Sequence, residues 1–261
     1  MKRRAPACAH AIGVWWGAPD AARYLVSSDF RRDHTTMFLK TALLVLRKDV
    51  AIEIRSYEIL ATTLFFAVGC VLVFAFALVK EGQAPPDAAA AILWIALLFA
   101  GTLALGRTFE RERYGETIRA LLLAPASRPA LYVGKLLGIL CLLGLTEMLL
   151  VPLVALLFSA PLLGHLNLLL PLLVCGTIGF AAVGTLFAAM LMRARTRDVM
   201  LPILLYPITI PVIIAGVRGT SALLASPPDE PTAMMWLAIL VSFDVVFVTL
   251  SLWTFEPLMM E

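Results

Sequence analysis

The sequence predicts an all-α integral membrane protein with six transmembrane helices. Of its 261 residues, 61% are hydrophobic and only 15% are charged, whereas a soluble domain usually carries about 25% charged residues. Six apolar stretches are each long enough for a helix of about 20 residues to cross about 30 Å of hydrocarbon. Because no other stretch has the polar alternation needed to enclose its own core, these observations exclude a second globular domain.

Loops rich in proline, glycine or charge separate the predicted spans, most clearly at residues 80–87 and 226–231. The predicted spans cover residues 59–79, 88–106, 136–158, 168–192, 199–217 and 233–255. The fourth and fifth are the hardest to separate. Residues 218–231 are too short for another span, so we expect a surface or re-entrant element there.

The basic residues predict the orientation of the spans. Of the 21 Lys and Arg residues, ten precede the first span, six lie in residues 107–135, and three are Arg193, Arg195 and Arg197. Only Lys80 and Arg218 remain for the other side. Because loops rich in Lys and Arg stay in the cytoplasm, the pattern predicts cytoplasmic termini and two cytoplasmic Arg-rich loops.

The first 36 residues have a different character from the rest. They include the run Lys2-Arg3-Arg4 but no apolar stretch of the length found in a signal peptide. We therefore expect residues 1–36 to be a poorly ordered extension and residues 37–261 to form a single six-span domain. A regular pattern begins at Met37, so either Met1 or Met37 fits as the start of translation.

An amphipathic helix is predicted at residues 38–56, just before the first span. Apolar residues recur on one face and basic residues cluster on another: Leu39, Leu43, Leu46 and Val50, against Lys40, Arg47, Lys48 and Arg55. This pattern is typical of a helix lying along the membrane surface. The alternative is a continuation of the first span into the cytoplasm, but Asp49, Glu53 and Glu58 would interrupt its apolar path.

The loop after the second span combines alternating charges with an apolar surface. From Arg107 onwards it is dense in charge, and Ile118, Leu121 and Leu122 then lie on one side of a short helix that Pro125 ends. Exposed leucines of this kind are most simply covered by a partner protein. The alternative is that they enter the membrane interface.

No residue pattern indicates catalysis or a resident cofactor. Neither H-E-x-x-H nor G-x-S-x-G occurs, the three histidines are scattered, and no pair of cysteines has metal-site spacing. Gly134-Lys135 lacks the other residues of a phosphate-binding loop, so this chain is not expected to bind ATP. We predict no catalytic residue, no metal ligand and no nucleic-acid partner.

Two features inside the spans are candidate functional sites. Pro202, Pro207 and Pro211 each remove a backbone hydrogen bond from the fifth span, which predicts a hinge or, alternatively, a static kink. Glu147 and Asp244 lie at membrane depth, where a charge costs about 2.5–3.5 kcal/mol. They are expected to face protein or water. Their role is either functional, as contacts for a partner subunit or a polar cargo, or structural, as contacts between helices.

Two long motifs resemble the CcmB family, the haem exporter B permeases. They are F-E-R-E-R-Y-G-E-T-I-R-A-L-L-L-A-P-A-S-R-P-A-L-Y-V-G-K at residues 109–135 and L-P-I-L-L-Y-P-I-T-I-P-V-I-I-A-G-V-R-G-T-S-A-L-L at residues 201–224. The resemblance runs from about Met37 to the end of the chain. It implies an ABC-2 type exporter permease with an amphipathic elbow helix, six spans and a cytoplasmic coupling helix.

The resemblance also implies a role in c-type cytochrome biogenesis at the bacterial inner membrane. Two copies of the chain would join two CcmA-like ATPases, CcmC and CcmD in an A2B2CD-type complex that serves the chaperone CcmE. ATP and magnesium would bind the ATPase, which would drive haem export or release of haem-loaded CcmE. This chain would be a non-catalytic subunit with haem as its candidate cargo.

Carried onto this chain, the family pattern assigns residues 112–124 to the coupling helix in the ATPase groove. The implied coupling residues there are Glu112, Arg113, Glu116, Arg119, Leu121 and Leu122, and Arg193, Arg195 and Arg197 would line a second contact. ATP-driven closure would move the spans as rigid bodies.

Two other functions remain open at this stage. A secondary transporter would need paired broken helices and a charged pathway, whereas only the fifth span is strongly broken and two isolated acids make a poor pathway. A structural scaffold that docks other maturation factors would not use the coupling helix for ATP turnover.

Overall fold

The computed structural model describes residues 28–79, 85, 87–114, 128–191 and 196–258, with side chains for residues 38–79, 85, 87–108, 129–191 and 196–255. Contacts divide the chain into two units, residues 1–40 and residues 41–261. In the first unit, the backbone is helical from residue 28. The second unit contains all the membrane-spanning helices described below.

Within these described ranges, the chain forms helices and no strand. The helices are α1 (Ser28–Ser56), α2 (Glu58–Leu78), α3 (Ala88–Tyr114), α4 (Arg128–Leu157), a short 3-10 helix (Leu162–His165), α5 (Leu166–Met190), α6 (Arg197–Leu224) and α7 (Glu230–Leu258). Helices α2 to α7 are each long and apolar enough to cross a bilayer. Because a helix satisfies its own backbone hydrogen bonds, it can do so without water. The predicted all-α, multi-pass membrane fold is confirmed.

Several helices extend beyond the predicted spans. The second predicted span ends at Gly106, but α3 continues to Tyr114, and at 1.5 Å per residue its 27 residues reach about 40 Å. The third span was predicted from Leu136, but α4 begins at Arg128. The hydrophobicity of the sequence indicates where the hydrocarbon core of the membrane ends. The backbone hydrogen bonds of a helix, however, continue into the charged residues beyond it. The helices on both sides of residues 115–127 are therefore longer than their apolar portions.

The prediction of a surface or re-entrant element at residues 218–231 is wrong for residues 218–224. Helix α6 continues to Leu224, and Gly219 and Thr220 are buried. A Cβ atom at Gly219 would lie only 2.8 Å from the Leu172 Cδ2 atom, so α6 packs closely on α5 here. Tertiary packing keeps this segment helical, and the connection is confined to residues 225–229.

A side-chain cap marks the start of α7. The backbone N–H of Thr232 donates a hydrogen bond of 3.1 Å to Asp229 Oδ1, as is common at helix N-termini. The Thr232 side chain and backbone both lower the pKa of Asp229. The cap therefore favours the ionised carboxylate, and its contribution is present above the ordinary Asp pKa and lost as the pH falls through the lowered one.

Helix α1 is a separate element from the first span. Tyr57 lies between α1 and α2 with φ 52° and ψ 9°, a left-handed conformation that is rare for a bulky residue. On α1, Ala42 and Val45 are buried, whereas Leu43 and Leu44 are each 65% exposed. The alternative of one continuous helix is therefore wrong, and α1 keeps an exposed apolar face, as a membrane-surface helix requires.

Helix α5 lies at the centre of the bundle, where it contacts α3, α4, α6 and α7. Every fourth residue along one side of it is small and buried: Thr177, Ala181, Thr185 and Ala189. Small side chains allow neighbouring helices to approach closely without a hydrophobic driving force from water. This close packing determines which polar side chains of the other spans meet inside the bundle.

Candidate functional site

Most of the predicted ATPase-coupling residues lie outside the described part of the chain. These are Glu116, Arg119, Leu121, Leu122, Arg193 and Arg195. Glu112 and Arg113 belong to the last two turns of α3, where only the backbone is described. Their roles remain predictions that rest on the sequence. Arg197 is the coupling candidate whose side chain the structure describes.

Arg197 is buried inside the chain, with 3% of the residue exposed. Its guanidinium donates a hydrogen bond to the Gly106 carbonyl oxygen of α3. This contact joins the beginning of α6 to α3 just before Arg107. Arg197 is therefore suited to hold α6 against α3, whereas a direct contact with an ATPase would require a more exposed side chain.

A second polar contact lies where α1 meets α4. Lys135 Nζ is 2.6 Å from Asp49 Oδ2, and the two side chains are only 10% and 17% exposed. At the adjacent Gly134, a Cβ atom would lie 2.8 Å from the Ala42 carbonyl oxygen. Gly134 therefore lets α4 approach the α1 backbone, and Lys135 anchors the contact. The sequence alone showed only that this Gly-Lys pair is not a phosphate-binding loop.

The three predicted hinge prolines lie within one continuous helix, α6. Pro207 and Pro211 are exposed on the outside of the chain, and Pro202 is half-buried. Pro152 in α4 and Pro171 in α5 are also inside helices, so broken hydrogen bonding is not confined to the fifth span. The hinge role remains a prediction, and the exposed prolines are on a surface that lipid or another subunit can reach.

Glu147 is buried in the middle of the bundle, with 9% of the residue exposed. The Thr177 hydroxyl of α5 donates a hydrogen bond to Glu147 Oε1. Both residues line a cavity of about 20 Å³, which is enough for one water molecule. Glu147 therefore faces protein and this cavity, and its role as a functional or a structural contact remains a prediction.

Asp244 approaches α5 from another neighbour, α7. Its Oδ1 atom is buried and has no hydrogen-bond partner among the described residues. A Cβ atom at Gly179 would lie only 2.6 Å from this oxygen, so the glycine makes room for the carboxyl group. Gly179 and Thr177 are about 3 Å apart along the helix axis, so the two predicted acids meet α5 at the same depth.

Trp94 is a central residue whose role no sequence pattern indicates. It is 3% exposed, and its Nε1–H group donates a hydrogen bond of 3.0 Å to Thr220 Oγ1. A Cβ atom at Gly176 or at Gly216 would overlap the indole ring. Trp94 of α3 therefore fits between α5 and α6 because both helices carry glycine there. The glycines were visible in the sequence, but their shared partner was not.

The hydrogen bond at Glu147 can be tested by two substitutions of the same residue. Glu147→Ala leaves the buried Thr177 hydroxyl without its acceptor, and we expect it to lower the free energy of unfolding by about 1–3 kcal/mol. Glu147→Gln keeps an oxygen at this position and should cost clearly less. Unfolding of the purified chain in mixed micelles, titrated with sodium dodecyl sulfate, measures both. Equal losses for the two variants would show that the acidic group itself, and not the hydrogen bond, stabilises the bundle.

Comparisons with known proteins match the chain along most of its length. The family model described as CcmB protein matches residues 40–257. The "Heme exporter protein B" of Pseudomonas aeruginosa is 28% identical over 201 residues, covering 77% of this chain and 89% of that protein. The Rhodobacter capsulatus protein of the same name is 29% identical over 188 residues, or 70% and 86% of the two chains. That of Haemophilus influenzae is 28% identical over 207 residues, or 79% and 91%.

Proposed function

Because the chain belongs to the CcmB protein family, we propose that it is the permease subunit of an ABC transporter for c-type cytochrome biogenesis. In this role it couples ATP hydrolysis by a separate CcmA-like subunit to haem export or to release of the haem-loaded chaperone CcmE. The observation that carries the proposal is the extent of the match, since residues 40–257 contain all six membrane-spanning helices. The name of the three relatives, "Heme exporter protein B", supports a role in the export of haem.

The arrangement of the helix ends supports a single surface for the ATPase. The Arg197 contact with Gly106 holds the beginning of α6 against α3, and Lys135 binds α1 near the start of α4. The positive charge at this end favours the cytoplasmic side. A CcmA-like subunit at this surface would meet residues 115–127 and 192–195 together.

The packing of the bundle supports a mechanical role for this chain. Helices α3 and α4 flank residues 115–127 and both contact the central helix α5. A displacement of the loop by ATP-driven closure would therefore move packed helices together, as in the rigid-body transitions of other transporters. The chain itself would carry out no chemical step. Two copies, two CcmA-like subunits, CcmC and CcmD would complete the complex.

The proposal is tested by Arg119→Glu and Leu122→Asp in the purified assembly, with ATPase activity and release of holo-CcmE measured in parallel. We expect the complex to form and release to fall at least about tenfold, which corresponds to about 1.4 kcal/mol. Arg218→Glu is a matched control, because Arg218 is exposed on α6 and is predicted to lie on the other side of the membrane. It should leave both activities unchanged.

A different result would favour the alternative of an ATP-independent scaffold. If Arg119→Glu and Leu122→Asp leave ATP turnover and release unchanged while the assembly is intact, residues 112–124 do not transmit the ATPase movement. The coupling assignment would then be wrong.

A further inference from the structure

A groove of about 570 Å³ runs between α1, α2 and α4. Charged side chains line one end of it, and apolar side chains line the rest. The charged group comprises Lys48, Asp49, Glu53 and Lys135. At the other end, Leu145 and Met148 of α4 are 53% and 77% exposed. The groove therefore has one polar and one apolar end, like an amphiphilic molecule.

One face of α4 forms the length of the groove. Its lining residues recur at helical spacing from Lys135 to Met148, a distance of about 20 Å along the axis. This exceeds the depth of one bilayer leaflet, which is about 15 Å. Gly144 lines the groove, and a Cβ atom there would have no atom within 4 Å. The missing side chain leaves space at leaflet depth that an acyl chain can fill.

The polar end is balanced in charge. Asp49 lies 3.1 Å from Lys48 Nζ and 2.6 Å from Lys135 Nζ, and Glu53 Oε1 accepts a hydrogen bond of 2.7 Å from the Leu60 N–H group. Two cations and two carboxylates line this end of the groove, which suits a headgroup that carries both signs. A phosphate would approach Lys48, whose side chain is 34% exposed, and an ammonium group would approach the acids.

We propose that this groove is a specific site for a zwitterionic phospholipid of the phosphatidylethanolamine class. One acyl chain lies along α4 between Lys135 and Met148, and the headgroup lies beside Lys48, Asp49 and Glu53. The lipid comes from the leaflet at the Arg-rich end of the bundle. It fills the space between the amphipathic helix α1 and the third membrane-spanning helix, and this site does not depend on the proposed coupling to an ATPase.

The site is tested with the full chain in vesicles of phosphatidylethanolamine, a fraction of which carries a photoreactive diazirine on one acyl chain. After irradiation, the labelled peptides are mapped by mass spectrometry. We expect labelling of residues 138–148 to exceed that of α7 residues 245–253, several of which are exposed, about fivefold, which corresponds to about 1 kcal/mol of preference. This labelling ratio in the unaltered chain tests the proposal by itself, even if a variant does not fold.

Gly144→Leu is the variant designed to fill the groove. We expect it to remove most of the excess label on α4, whereas Gly69→Leu in α2 should leave it unchanged. Gly69 is a matched control because a Cβ atom there also has no atom within 4 Å and the residue does not line the groove. Circular dichroism and gel filtration establish that both variants fold.

The headgroup is tested by competition with unlabelled lipids. Phosphatidylethanolamine should displace the label from α4 at lower concentration than phosphatidylglycerol does. Equal labelling of α4 and α7, or a labelling pattern that Gly144→Leu does not change, would show that the groove contacts bilayer lipid without specificity. Either result would overturn the proposal. A cross-link from the exposed Cys141 to another protein, with no lipid label on α4, would assign the groove to a partner chain and overturn it as well.

Discussion

Replacing Trp94 by alanine is expected to lower the free energy of unfolding by about 3–5 kcal/mol, the range for removing a large aromatic side chain from a packed core. The indole is buried between Gly176 and Gly216, so its loss opens a cavity that two glycines cannot fill. The substitution also removes the donor of the hydrogen bond to Thr220. Because both effects occur where α3, α5 and α6 meet, the bundle has little freedom to relax.

Trp253→Ala is the matched control for this experiment. It deletes the same side chain from α7, but Trp253 is 78% exposed and so contributes little packing within the chain. Both variants can be compared by titrating the purified chain in mixed micelles with sodium dodecyl sulfate and following helix content. Similar losses of stability for Trp94→Ala and Trp253→Ala would show that the contacts between Trp94 and the two glycines do not stabilise the bundle.

Lys135→Met is expected to have the second-largest effect, with a loss of about 2–3 kcal/mol. A carboxylate left without its buried partner costs about 3–5 kcal/mol, and the residual exposure of Asp49, at 17%, reduces this penalty. Lys48 also lies 3.1 Å from Asp49, but it is more exposed. Lys48→Met should therefore cost at most about 1 kcal/mol, as surface ion pairs do.

A double-mutant cycle separates the ion pair from the packing around it. If the pair is the cause, Asp49→Leu combined with Lys135→Met should be more stable than Lys135→Met alone, since the second substitution removes the stranded carboxylate. A double variant that loses the sum of the two single losses would contradict a direct interaction between Asp49 and Lys135. The same unfolding titration measures all three variants.

The sequence alone indicated the number of spans and favoured a separation of α1 from the first span. Both predictions use local properties of the sequence, namely the length of each apolar stretch and the charges that interrupt it. Glu147 was expected to face protein or water, because a carboxyl group in hydrocarbon is costly wherever its partner lies, and in the structure it accepts a hydrogen bond from Thr177. The number of spans between the two Arg-rich loops also predicts that they share one end of the bundle.

Helix ends were predicted less well, since hydrophobicity does not report backbone hydrogen bonding. The charges at Arg107 and Arg218 predict the limits of their spans, yet α3 and α6 continue to Tyr114 and Leu224. At α6 the reason is tertiary: Gly219 packs closely on Leu172, which keeps the last turns helical. A charge in the sequence marks the edge of the apolar region and need not mark the end of a helix.

Only the tertiary structure decided which polar residues meet. Asp49 and Lys135 are 86 positions apart, and Trp94 and Thr220 are 126 apart, so no local periodicity connects them. In each case a glycine permits the close approach, at Gly134 for the first pair and at Gly216 for the second. Apolar length and charge determine that a helix crosses the membrane, whereas its rotation and its neighbours depend on how small and large side chains fit together.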